Sequence, residues 1–239
     1  MGSGIYISTA GAVAQDTALD VAATNIANAS TTGYKAERVT FGQALANTRA
    51  KDSAFAAVAA VSSDSSAGSL RRTDNPLDVA LLGDGYFGVN TPAGVRYTRA
   101  GDFRLDDQGR LVNGMGFVAR GSGGNEISVP EGATTVTIDG QGQVIADGDE
   151  IGQLEVVRFA PTALRREGDN LYSASGPPAA PEGEPPEIVS GALEQSNVNV
   201  VRGMVDLVKV SRAYESLMRM IQGYRDMESA AARGIGRPR

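Results

Sequence analysis

Apolar positions at the start of the chain recur by sevens, at Ile5, Ala12, Leu19 and Ile26, with small residues such as Thr9 and Ala23 between them. This is the narrow seam of a coiled-coil-like helix rather than a broad core face, and it predicts a helix over Ile5–Ala29. The run Asn28-Ala-Ser-Thr-Thr-Gly33 then supplies residues that favour caps and turns, with Gly33 suited to a left-handed cap. From Tyr34 to about Ser69 the pattern loses commitment. YKAERVTF alternates in part like a strand, so this stretch reads as an extended connector with room for one hairpin.

Between Leu70 and Pro186 short apolar runs alternate with Gly, Asp, Asn and Pro: PLDVALL, GYFGVNT, RYTRAGDF, RLVNG, ISVPEG, TTVTID, QVIADG. These are strands joined by tight turns. An internal echo supports that reading: Leu105–Val112 and Ile138–Ile145 share the form apolar-Asp-x-Gln-Gly-x-apolar-apolar, a strand, a glycine-closed turn and a returning strand. The run GPPAAPEGEPPE, Gly176–Glu187, is too poor in apolar residues to fold and reads as a stiff linker or exposed loop.

Helical spacing returns after Ser196–Asn199. Val200, Met204, Leu207, Tyr214, Met218 and Ile221 form a second seam, widened on its first half by Val201, Val205 and Val208. Two thin seams at opposite chain ends can bury each other, and repeated copies can bury what is left. The fold class is therefore α+β, a discontinuous pair of terminal helices with a central all-β domain. The expected divisions are 1–32 for the first helix, 33–69 for the connector, 70–190 for the β-rich domain and 191–239 for the second helix and a basic tail.

Composition narrows the chemistry. The 239 residues include neither His nor Cys, which removes the commonest general acid-base and metal-ligating groups, thiol nucleophiles and disulfides. Gly83-x-Gly85-x-x-Gly88 matches a dinucleotide fingerprint, but the following Val-Asn-Thr-Pro is strand and turn where that motif needs a helix, so a simple turn is favoured. Asp106-Asp107 and Asp147, Asp149 and Glu150 are paired carboxylates open to a hydrolytic or calcium-binding reading. Asp beside Gly in a hairpin is the ordinary alternative and the favoured one. No catalytic residue, cofactor or metal site is expected.

Charge is uneven. From Asn197 to Arg239 there are eight Lys/Arg and four Asp/Glu, a balance of +4, and with the whole chain at −6 the remainder carries −10. The acidic total speaks against a nucleic-acid binder. The start has neither a basic n-region nor a long apolar core, so no cleaved signal peptide or transmembrane helix is expected.

Three stretches together resemble the axial rod and hook proteins of the bacterial flagellum: DVAATNIANASTTGYKAERVTF, TDNPLDVALLGDGYFGVNTPAGVRYTRAGDFRLDDQGRLVNGMG and GALEQSNVNVVRGMVDLVKVSRAYESLMRMI. They cover roughly half the chain in the order that family uses. The matching residues are Asn25, Asn28, Gly33 and Tyr34 at the helix-to-connector junction; Asn75, Pro76, Leu77, Asp78, Gly83, Asp84, Gly85, Tyr86 and Phe87 in the β region; and Leu193, Glu194, Ser196, Asn197, Val198 and Asn199 before the second helix. Two features depart from the family pattern: Ala80-Leu81-Leu82 is less polar than usual, and the tail Arg233–Arg239 extends past the helix.

The resemblance implies a helical layer made from both termini, a β-rich outer domain, and export through the flagellar type III apparatus without a cleaved signal. It implies other rod subunits and further copies of this chain as partners, with no small-molecule substrate. The seam residues would be the assembly interface. The rival reading, from another class, is a secreted glycan-binding β module on a helical stalk; it needs Tyr86, Phe87, Tyr97 and Phe103 as an exposed platform.

Overall fold

A computed structural model describes residues 2–45, 54–160, 163–168, 170–178 and 186–235. Two helices flank a central all-β region, an α+β fold. The chain divides into two compact units, the described parts of Met1–Ala27, Glu37–Asp64 and Asn199–Arg239 in one, and of Asn28–Ala36 and Ser65–Val198 in the other.

The first unit contains helix α1 (Gly2–Ala27), the antiparallel strands β1 (Glu37–Leu45) and β2 (Ala54–Ser63), and helix α2 (Val200–Ile235). The hairpin lies in the stretch that reads as a connector, and it packs on α1. Its register slips between Thr40 and Phe41, leaving Ala59 as the extra residue of a bulge. Gly42 stands where a Cβ would sit 3.1 Å from that of Ala59. α2 begins directly after Ser196–Asn199, where the helical spacing returns, and Asn199 caps it: its side chain accepts from the Arg202 N–H at 2.9 Å, and its carbonyl accepts the first helical bond from Gly203 at 2.8 Å.

The second unit is built from short antiparallel strands. Its largest sheet runs β14 (Leu164–Arg166), β15 (Tyr172–Ala174), β6 (Gly94–Thr98), β5 (Tyr86–Thr91), β9 (Val118–Ala119), β8 (Leu111–Val112) and β7 (Arg104–Leu105), with β13 (Val156–Val157) also pairing with β5. A three-stranded sheet joins β10 (Val136–Ile138), β11 (Gln143–Ala146) and β12 (Asp149–Gln153). Two pairs bring distant chain together: β3 (Leu70–Arg72) with β17 (Ala192–Glu194), and β4 (Val79–Leu82) with β16 (Glu187–Ser190). Glu187 is therefore strand rather than linker, and residues 179–185 of the Pro/Gly-rich run lie outside the described residues.

The core of this unit gathers Val79, Leu81, Phe87, Phe103, Leu111, Ile138, Val144, Leu154 and Ile188. Burial explains the apolar Ala80-Leu81 of the lead-in, which lie with Val79 inside β4, whereas Leu82 is exposed. Phe87 and Phe103 meet edge-to-face at 5.4 Å inside the core, and Tyr86 and Tyr97 are half-buried against Tyr172 and Phe159. Four rings so placed do not form an exposed sugar platform.

The echoed segments fold alike. Asp106 Oδ1 accepts from the Gln108 and Arg110 N–H groups, and Asp139 Oδ1 from those of Gln141 and Gln143, all at 2.8–2.9 Å. Each turn closes on a left-handed glycine, Gly109 at φ 73° and Gly142 at φ 78°. A third copy is Asn113–Phe117, whose Asn113 Oδ1 takes the Met115 and Phe117 N–H groups and whose glycine is Gly116 at φ 87°.

Candidate assembly site

The two helices run antiparallel, as three close approaches establish. A Cβ on Gly4 would lie 2.8 Å from the Tyr224 hydroxyl, one on Gly11 3.4 Å from Leu217, and one on Gly203 3.1 Å from Ile26. Large side chains of one helix thus face small residues of the other. Among the seam residues expected on α1, Ala12 is buried and Ile5, Leu19 and Ile26 are half-buried. On α2, Ile221 is buried and Leu207 and Tyr214 are half-buried, whereas Val200, Met204 and Met218 are exposed.

α2 consequently has two apolar faces. The covered one follows Gly203, Leu207, Val210, Tyr214, Leu217, Ile221 and Tyr224, each half-buried or buried. Its glycines and shifted register escape a search for large apolar residues at fixed spacing. The other face is a stripe at helical spacing, with Val201 74%, Met204 54%, Val205 49% and Val208 47% exposed. Tyr6 and Val13 stand out from α1.

The junction residues meet in two places. In the helix unit, Asn25 clamps the start of β1, its Nδ2 donating to the Glu37 carbonyl and its Oδ1 accepting the Glu37 N–H, both at 2.8 Å. In the β-rich unit, Asn28 and Thr31 make the turn that follows α1, and Gly33 adopts φ 67° well beyond the last helical residue. Gly33 is left-handed as expected but does not cap the helix. Its N–H donates to the Glu194 carbonyl at 2.7 Å, and any Cβ would lie 2.4 Å from the Arg99 carbonyl carbon.

Around Gly33 the chain buries charge. Lys35 and Glu194 are 1% and 2% exposed and joined at 2.7 Å, and Glu194 Oε1 also accepts the Gly68 N–H at 2.9 Å. Lys35 Nζ donates to the Ser66 carbonyl, and Arg99 Nε lies 3.7 Å from Glu194 Oε2. Tyr34 is fully buried beneath the Arg166 guanidinium, 4.0 Å from its ring centroid. Asn197 accepts the Ala36 N–H at 2.7 Å and donates to Ser66, while the Ser196 hydroxyl accepts from Val198. Lys35 and Arg99 were not legible as site residues, since their type reads as surface.

In the β region, Asn75 Nδ2 donates to Asp78 at 2.9 Å, the Pro76 carbonyl accepts from Ile138, and the Asp78 carbonyl accepts from Gly191. Leu77 donates its N–H to Asn75 and packs on the core. Gly83 turns at φ 89° between β4 and β5, so the glycine fingerprint is a strand-to-strand turn. The Asp84 carbonyl accepts from Arg158, and a Cβ on Gly85 would lie 3.2 Å from Pro186 and Val156.

Two of the candidate carboxylates have structural occupations. Asp106 pairs with Arg110 at 2.9 Å, and hydrogen bonds led by the Arg110 backbone N–H hold its pKa down. Asp147 accepts the Thr134 and Thr135 N–H groups. Among the described residues no group of three or more Asp or Glu is placed to hold a metal, and no helix is long and apolar enough to cross a membrane.

Three family models match the chain: the flagella basal body rod protein over residues 5–35, the flagellar hook protein FlgE/F/G D1 domain over 80–146, and the flagellar basal body rod FlgEFG protein C-terminal region over 189–233. The flagellar basal-body rod protein FlgF of Rhizobium meliloti is 29% identical, covering 98% of this chain and 97% of the relative. FlgG of Bacillus subtilis is 33% identical over 91% and 93%, and FlgG of Agrobacterium fabrum 34% over 97% and 98%.

Proposed function

The chain belongs to the flagellar basal-body rod protein family, and on that premise we propose that it is a proximal-rod subunit whose copies join through the terminal helices. It is a structural component of the basal-body rod. The observation that carries the assembly reading is the exposed stripe Val201, Met204, Val205 and Val208 on a helix whose opposite face is already covered. A face of this kind gains by being taken out of water. Contacts made head-to-tail by one patch on each copy generate an open helical array, the geometry of a rod that transmits torque.

The proximal position rests on the short central region and the opening helix; a distal-rod or hook position is the alternative within the family. Export by the type III apparatus without a cleaved signal belongs to the same proposal, and so does the absence of catalysis.

Deleting the gene and imaging basal bodies tests the whole reading. A truncated or missing rod is expected, and a normal rod would end it. Complementation with Val201→Asp, Val205→Asp and Val208→Asp together should give a folded chain that no longer enters rods. N-terminal sequencing of chain recovered from basal bodies checks export, with an intact start expected.

A further inference from the structure

The β-rich unit has a pocket of about 80 Å³ lined by Thr32, Thr98, Asp102, Asn113, Gly114 and Asn170. Its polar lining is rich in acceptors. Asn170 is 4% exposed; its Nδ2 donates to the Thr32 carbonyl at 2.8 Å, and its Oδ1 has no partner among the described residues. The Asp102 carboxylate lies against Gly114, where a Cβ would clash with Oδ2, so the glycine is what admits it. Burial holds the Asp102 carboxyl above the usual carboxylate range. A backbone hydrogen bond and Arg104 oppose that shift and Asp78 adds to it. An orphaned buried carbonyl oxygen beside a partly desolvated carboxylate calls for a donor-rich cation.

α2 offers one. Arg212 and Arg219 continue the stripe begun by Val201, Val205 and Val208, at eleven and eighteen residues beyond Val201, close to whole helical turns. Both are exposed, and neither has a carboxylate partner among the described residues. A copy that covers this face beyond the stripe, as far as Arg212 or Arg219, also covers a guanidinium group, which then needs acceptors.

We propose that the Asp102–Asn170 pocket is a guanidinium-binding site that receives Arg212 or Arg219 from a second copy of the chain. This rests on the assembly reading above. It assigns a polar, orientation-setting contact beside the apolar one. A planar fork with several N–H groups matches paired oxygen acceptors better than an ammonium does.

The pocket is tested on the full-length monomer with methylguanidinium as probe, following the amide resonances of Thr32, Gly114 and Asn170. A saturable shift is expected, absent with sodium chloride at equal ionic strength and weakened about tenfold in Asp102→Asn. No saturable shift, or an unchanged response in D102N, overturns the site. The occupant is tested in rods, exploiting the cysteine-free sequence. Met115 stands half-exposed at the pocket and takes the probe Met115→Cys. Chains carrying it are co-expressed with chains carrying Arg212→Cys or Arg219→Cys. A disulfide-linked dimer is expected from one of the two pairings. Rods containing both chains with neither cross-link overturn the proposal and leave the assembly reading standing; exclusion of an Arg→Cys chain while the Met115→Cys chain still enters rods counts for the contact, and exclusion of both chains overturns both readings.

Discussion

Lys35 and Glu194 are sealed together in the β-rich unit at 1% and 2% exposure, while Val201 of the helix unit stands 74% exposed. The β-rich unit turns most of its polar groups on itself: the Lys35–Glu194 pair, three Asx-type turns and the Asn75–Asp78 bond are all made with its own chain. The helix unit does the reverse. It packs one face through small residues and presents a second apolar face to water. One unit makes its contacts largely within a single molecule and the other leaves a long apolar face uncovered, the division of labour a polymerising subunit needs.

The largest expected effect falls on the self-contained side. Lys35→Met removes the nearest cation from the buried Glu194 carboxylate, leaving it the Gly68 N–H and the more distant Arg99, and should cost about 3–5 kcal/mol of β-unit stability in urea titrations. Loss within experimental error would mean that the junction is not sealed.

A smaller effect is expected across the helix seam. Ile221→Ala should destabilise the helix unit by about 2–3 kcal/mol, read as a lower melting temperature by circular dichroism at 222 nm.

Next comes alkaline pH. Burial, with Tyr172 adding to it, raises the Tyr86 hydroxyl to about 12. The unfolded chain releases this proton near pH 10, where the folded chain still holds it, so stability falls as pH rises from 10 to 12, by up to roughly 2 kcal/mol. Tyr86→Phe should flatten that decline, measured by denaturant midpoints at pH 9 and 11.5.

The smallest effect on the isolated molecule belongs to the stripe. Val201→Ser, Val205→Ser and Val208→Ser should each shift monomer stability by less than about 0.5 kcal/mol, while rod incorporation drops. Hydrogen exchange sharpens the same contrast, with weaker protection expected in α1 and α2 of a verified monomer than in β5 and β8.

Features written in local chemistry were legible in the sequence. Asn199 announces the start of α2, and the Asp-x-Gln-Gly echo announces two turns of one design. The third, at Asn113, keeps the closing glycine but has Asn in place of Asp and Met in place of Gln, so the shared pattern passes over it. The helix seam was harder to place, because Gly4, Gly11 and Gly203 contribute by having no side chain and carry no hydrophobic signal. The buried cluster was invisible for a different reason. Lys35, Arg99 and Glu194 are distant in sequence, and only the folded backbone reveals that they share one interior site.

The repeated turns also bear on how fast the fold can be regained. Each closes a five-residue circuit whose side-chain acceptor sits beside the amides it holds, so forming one requires almost no search through chain conformations. Hairpins of this size close on the order of microseconds. A chain delivered to its destination as extended polypeptide would recover these corners before any long-range pairing, leaving β3–β17 and β4–β16 as the slow steps that register completion.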